Sequence, residues 1–134
     1  MLIRKSIHTI ESVYNAIKDV YTFERAKGKE ARIDFEGDNI QGNSQRYQTF
    51  FIKGMTCVEC GIQGQYFAKE KHPNDGRYHL NLYGIDQNGK EVLMTKDHII
   101  PKSKGGNNHI SNYQCMCKRC NQRKGNTLWL KKEN

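Results

Sequence analysis

Two Cys-x-x-Cys pairs, Cys57/Cys60 and Cys117/Cys120, constrain this chain more than any other feature. Two such pairs form a tetrathiolate zinc signature, and the 56 residues between them exceed the usual gap within a single finger. The fold itself must therefore bring the four thiols together around one structural Zn²⁺. Disulfides explain the pattern less well, because the N-terminus Met1-Leu2-Ile3-Arg4-Lys5 lacks the apolar stretch of a secretory signal. Cys115, the odd fifth, reads as a small buried hydrophobe on a strand. With 134 residues, 36% of them hydrophobic, and a mean hydropathy of -0.87, the chain can bury only a modest core, and a metal is the staple on offer.

The second Cys pair lies in a stretch, Lys96 to Asn126, where other chemistry also concentrates. Leu93, Met94, Ile99 and Ile100 bracket Asp97 and His98, so this dyad sits on or at the end of a strand that Pro101 terminates. Gly105-Gly106 and Asn107-Asn108 make the next segment an ordered loop, closed by Ser111 and Asn112. Tyr113 to Met116 reads as a second short strand and Lys118 to Lys124 as a helix stopped at Gly125. An isolated Asp-His dyad is usually a surface ion pair, so the company it keeps decides. The formal charge is +8, and from Lys96 onward nine Lys or Arg face two acids, so this end holds nearly all of it. Charge gathered beside one site, rather than spread for solubility, implies a polyanionic substrate. Lys131 and Lys132 read instead as a solvated basic tail.

Asp97-His98-Ile99-Ile100-Pro101 followed by Ser103, Gly105 and Gly106, then Asn112 before the second strand and Asn121 after Cys117-x-x-Cys120, resembles the HNH endonuclease family. The resemblance covers Met55 to Asn126 and is strongest from Asp97. It implies an α+β fold with a small ββα-metal, treble-clef-like core stapled by zinc, joined by an N-terminal amphipathic helix and an antiparallel hairpin. It further implies that His98 is the general base, that Asn112 orients the His98 loop, and that Asp97 and Asn121 hold a catalytic divalent ion. Many members carry His where this chain has Asn121; an amide oxygen and a carboxylate are hard donors that suit Mg²⁺ or Mn²⁺. A phosphodiester is cut by a water that has lost a proton, and imidazole is the side chain whose pKa lies nearest working pH.

The expected function is metal-dependent hydrolysis of DNA, leaving 5′-phosphate and 3′-hydroxyl ends. Lys102, Lys104, Lys118, Arg119, Arg123 and Lys124 are the expected DNA contacts. A non-catalytic zinc-stapled DNA-binding module is the alternative; it leaves Asp97, His98, Asn112 and Asn121 as coincidences. A zinc-stapled protein-interaction domain leaves still more unexplained. By analogy with the family, the chain reads as a stand-alone enzyme of a bacterial virus or mobile element, working in the host cytoplasm beside phage DNA-processing or packaging proteins, as a monomer or weak dimer. No apolar run is long enough for a membrane span.

Ahead of this core, residues 1–50 read as a helical and loop extension packed on residues 51–134. Ile10, Val13, Tyr14, Ile17, Val20 and Tyr21 recur at helical spacing from Thr9 to about Ala26. Gly28 to Ser44 is polar, with Ile33-Asp34-Phe35 in a loop or a marginal hairpin. Tyr66-Phe67-Ala68 and Tyr78 to Tyr83 read as strands, and Asp86-Gln87-Asn88-Gly89 as a hairpin turn into Glu91 to Thr95. His8, His72 and His79 read as surface or strand residues, and His109 as a plain loop histidine placed to reach phosphate.

Overall fold

The computed structural model describes residues 1–127; Lys131 and Lys132 lie outside the described residues. Its frame is a five-stranded antiparallel sheet with strand order β1-β4-β5-β6-β7, formed by Ile3–Thr9, Gly64–Lys71, His79–Ile85, Glu91–His98 and Tyr113–Cys117. A separate hairpin pairs β2 (Arg32–Phe35) with β3 (Asp38–Gln41). Helices are short: α1 (Ile10–Ile17), α2 (Gln45–Gln48) and α3 (Lys118–Lys124).

The fold class is the expected one, α+β around a ββα unit: β6 and β7 pair from Met94↔Cys117 to His98↔Tyr113, and α3 packs on β6. Directly opposed residues of an antiparallel pair share a face, and the faces alternate. Lys96, His98, Tyr113 and Cys115 therefore lie on one face of the hairpin, and Thr95, Asp97, Gln114 and Met116 on the other. The hairpin between β5 and β6 also forms as its Asn-Gly turn suggests. Asp86 Oδ1 accepts the amides of Asn88 at 2.8 Å and Lys90 at 2.9 Å, and Gly89 takes φ 79° at the tip.

Three elements differ from the sequence reading. Ile3–Thr9 is a strand, because its ladder with β4 runs from Ile3↔Lys71 to Thr9↔Tyr66 and Arg4 donates to buried Glu70 at 2.8 Å. Its apolar residues Ile3 and Ile7 are exposed, so hydrophobic alternation carries no signal there. The helix expected as far as Ala26 stops at Ile17. Thr9 caps its start, accepting from the Ser12 amide at 3.0 Å, and Val13 and Ile17 bury its inner face. Beyond it, Asn43 donates to the carbonyls of Phe23 and Glu24 at 3.2 and 3.0 Å, giving that stretch non-helical partners. Finally, Gln45–Gln48 is helical and continues through a five-residue π-turn, Thr49–Lys53. That turn sets Phe51 in a stack on Phe67, with centroids 6.0 Å apart, and buries Phe50 against the sheet.

Residues 1–50 thus supply an edge strand and much of the aromatic packing of the same sheet. Among the described residues, no helix is long and apolar enough to cross a membrane.

Candidate metal centre and active-site cleft

The Cys57/Cys60 knuckle is a tight turn between Thr56 and Gln63, which bridge each other. The Cys57 amide donates to the Ile62 carbonyl at 2.8 Å and the Gly61 amide to the Cys57 carbonyl at 3.0 Å, with Gly61 at φ 81°. A further bond, Val58 amide to Cys115 carbonyl at 3.1 Å, docks the knuckle onto β7. Cys117 ends that strand and caps α3, its Sγ accepting from the Cys120 amide at 3.5 Å.

The four Sγ atoms of Cys57, Cys60, Cys117 and Cys120 lie within 4.8 Å of one another. Zinc-thiolate bonds of about 2.3 Å in a tetrahedron put sulfurs about 3.8 Å apart, and Cys60 and Cys117 are 3.8 Å apart. The donors and their spacing fit a metal ion. Burial pushes the Cys57 thiol up, but the backbones of Cys60, Cys117 and Glu59 outweigh it and bring it down to about 7. Cys115 stands outside the cluster; burial holds its thiol at about 12, as suits a core residue.

Beside α3, a cleft of about 270 Å³ is lined by Asp97, His98, Lys102, Asn121 and Lys124 among others. Lys124 is 2% exposed; its Nζ donates to Asp97 Oδ2 at 2.7 Å and to the His98 carbonyl. Gln114 Nε2 donates to the same Asp97 Oδ2 at 2.9 Å, so both side-chain donors crowd one oxygen and, among the described residues, leave Oδ1 uncommitted. Asn121 is oriented by similar logic. Thr95 Oγ1 donates to the Met116 carbonyl at 2.6 Å, so it can only accept from Asn121 Nδ2 at 2.8 Å, which leaves Asn121 Oδ1 available. Among the described residues, two oxygens suited to a hard cation thus lack a hydrogen-bond partner, on residues that line one cleft.

His98 Nε2 lies 2.9 Å from Asn108 Oδ1, and its ring meets Tyr113 edge-on at 5.1 Å. An amide oxygen only accepts, so the proton of a neutral ring sits on Nε2 and Nδ1 is the basic nitrogen. Asn112, buried, spans the loop between them. Its Oδ1 accepts from the Ile100 amide at 2.9 Å, and its Nδ2 donates to the carbonyls of Ile100 and Asn107, each at 3.0 Å. Gly106 packs so closely that a Cβ there would meet the Ile100 carbonyl oxygen at 1.7 Å.

The expected DNA contacts do not share one surface. Lys102 lines the cleft, and Lys104 and Lys118 are exposed. Lys124 is instead an internal ion-pair partner, since i, i+3 spacing on α3 puts it on the Asn121 face, against Asp97. Arg119 and Arg123 belong to the thiol side. Arg119 pairs with Asp86 at 2.9 Å, and Arg123 donates to Cys120 Sγ at 3.1 Å, countering the charge a thiolate cluster carries. His109 accepts from the Ser111 amide at 3.2 Å within its own loop. Asn108, Thr95 and Gln114 went unread in the sequence, because a partner across a hairpin or loop has no local signature.

Residues 86–131 match the family model described as HNH endonuclease. No curated protein and no solved structure matches the chain. The matched segment holds the Asp97-His98 strand, Asn112, the second Cys pair and Asn121, so it is over these residues that the chain is similar to the HNH endonuclease family.

Proposed function

We propose that this protein is a metal-dependent DNA endonuclease, with His98 as general base and a divalent ion, Mg²⁺ or Mn²⁺, held by Asp97 and Asn121. The observation that carries the reading is the cleft itself, where an imidazole bonded to Asn108 stands beside two hard oxygens that have no partner among the described residues. A structural zinc module has no use for either.

In this reading Asn108 holds the Nε2 proton of His98, so Nδ1 is the atom that takes a proton from the attacking water. Asn112 fixes the return of the loop that carries Asn108, keeping the ring still. Lys124 ties the Asp97 carboxylate to the His98 backbone, so ligand and base keep one spacing. A bound divalent ion would supply Lewis acidity to the phosphate and charge neutralisation at the leaving 3′ oxygen, giving 5′-phosphate and 3′-hydroxyl ends. Zinc in the Cys57/Cys60/Cys117/Cys120 cluster holds the knuckle to the start of α3 and is structural.

The test is plasmid cleavage by purified protein in EDTA, then with Mg²⁺, Mn²⁺, Zn²⁺ or Ni²⁺ restored singly, beside a mock purification. His98→Ala should lose about two to four orders of magnitude in rate while DNA affinity and zinc content hold. Parent-level cleavage by His98→Ala would remove the base and leave the non-catalytic DNA-binding module as the better reading.

A further inference from the structure

A second cleft, of about 450 Å³, opens where the first fifty residues meet β6, with Arg25, Arg46, Lys96, Gln41, Asn43 and Gln45 in its wall. Lys96 also lines the Asp97-His98 cleft, so the two openings share a residue. Lys96 and His98 lie on the same face of β6, two residues apart. At about 3.3–3.4 Å per strand residue their backbones are about 6.7 Å apart, comparable with the axial rise of two nucleotides.

Three cations from separate elements meet here. Among the described residues, none of Arg25, Arg46 and Lys96 has a carboxylate within ion-pair distance, although Arg4, Lys5, Lys69, Arg119 and Lys124 each do. Their recorded side-chain partners are neutral: Arg46 donates to Asn81 Oδ1 at 2.8 Å and Lys96 to Gln45 Oε1 at 2.9 Å. The Lys96 ammonium sits 4.4 Å from the centre of the Tyr113 ring. Tyr113, buried, carries the one buried side-chain polar atom without a hydrogen-bond partner among the described residues, its hydroxyl. Uncompensated like charge of this kind costs stability, and an anion would relieve it.

We propose that Arg25, Arg46 and Lys96 form a phosphate subsite that grips the DNA backbone beyond the scissile phosphate, on the His98 side of the hairpin. The proposal rests on the nuclease reading for its direction relative to the cut, and it assigns substrate binding to Arg25 and Arg46, which lie outside the family-matched segment. Phosphate contacts position a strand without reading its bases, so this subsite sets register and affinity, not sequence preference.

The test is binding of a fluorescein-labelled duplex to the full-length, zinc-loaded chain, followed by anisotropy over a salt series without added divalent ion. Each phosphate contact contributes about 0.9 to the slope of log K against log salt, so Arg25→Gln/Arg46→Gln should flatten it by about 1.8. Referred to 1 M salt, that is about a thirtyfold loss of affinity at 0.15 M. Arg46→Lys, which keeps the charge, should retain most of the slope, and Arg25→Gln alone, at an exposed residue, should remove about 0.9 without threatening the fold. An unchanged slope in both Arg25→Gln and the double variant would overturn the subsite, whether or not the protein cleaves DNA. Cleavage failing in the parent while the slope still falls would sink the nuclease reading and keep the phosphate site.

Discussion

Lys124→Met tests the cleft from the inside. The substitution keeps the buried stem and deletes the ammonium that holds Asp97 Oδ2 at 2.7 Å and the His98 carbonyl. Asp97, only 6% exposed, then retains one neutral side-chain donor, Gln114 at 2.9 Å. Removing one partner of a buried ion pair costs about 3–5 kcal/mol, and the surviving Gln114 bond with the open cleft on the other side puts this case at about 3 kcal/mol. Unfolding entropy of about 2.1 cal/mol/K per residue makes that a fall in Tm of about 10 °C for a chain of this length. Thermal unfolding of zinc-loaded protein, without other divalent ions, reads it directly. Adding millimolar Mn²⁺ should recover more of the variant's deficit than it adds to the parent, because the ion then becomes the countercharge of Asp97. The salt slope of DNA binding should stay at the parent value, since Lys124 faces no solvent. A Tm within about 2 °C of the parent, or an equal Mn²⁺ response in both proteins, would refute the ion pair and return Lys124 to the DNA surface.

Asn108→Ala frees the His98 ring and its tautomer, so cleavage should slow by about ten- to a hundredfold with zinc content and DNA affinity unchanged; a parent-level rate would show that the Asn108 contact is idle. Asn121→His exchanges an oxygen donor for imidazole, and the order of metal activation, measured ion by ion, should move towards Ni²⁺ or Zn²⁺; an unmoved order would take Asn121 out of the ion site. Cys57→Ser should lose zinc and most of the folding energy, whereas Cys115→Ala should keep about one zinc per chain, both read by metal analysis with thermal unfolding. A well-folded Cys57→Ser with no zinc would mean that the cluster is not the staple.

What was legible before the structure was whatever is written locally. Lys118 to Lys124 ends at a glycine and begins at a cysteine, so α3 could be bounded to the residue, and the Asn-Gly turn announced the β5–β6 hairpin. The four thiols could be joined because ligand chemistry leaves few alternatives for two Cys-x-x-Cys pairs. What stayed hidden depends on a distant partner. The edge strand Ile3–Thr9 is specified by its ladder and by Glu70, not by its own pattern. Lys124 in a basic run looks like any surface lysine; only its spacing of three from Asn121 hints that both face the same strand. Arg25 and Arg46, 21 residues apart and far from Lys96 in sequence, had no shared signature at all.

The geometry of α3 makes the thiol cluster and the proposed ion site one mechanical unit. Cys117 and Cys120 pin the first turn of the helix, Asn121 is the next residue, bonded to Thr95, and Lys124, one turn after Cys120, reaches Asp97. A seven-residue helix is too short to hold itself, so its direction comes from its anchors. Loss of the thiol anchor would release that first turn and with it the Asn121-Thr95 bond, even where the sheet survives on its aromatic packing. Chelation should therefore silence the cleft by two routes that differ in time. Withdrawal of the proposed catalytic ion should be reversed as soon as Mg²⁺ or Mn²⁺ returns, whereas withdrawal of zinc should outlast it until zinc itself is restored. A protein whose staple and ligands sat on separate elements would show only the first.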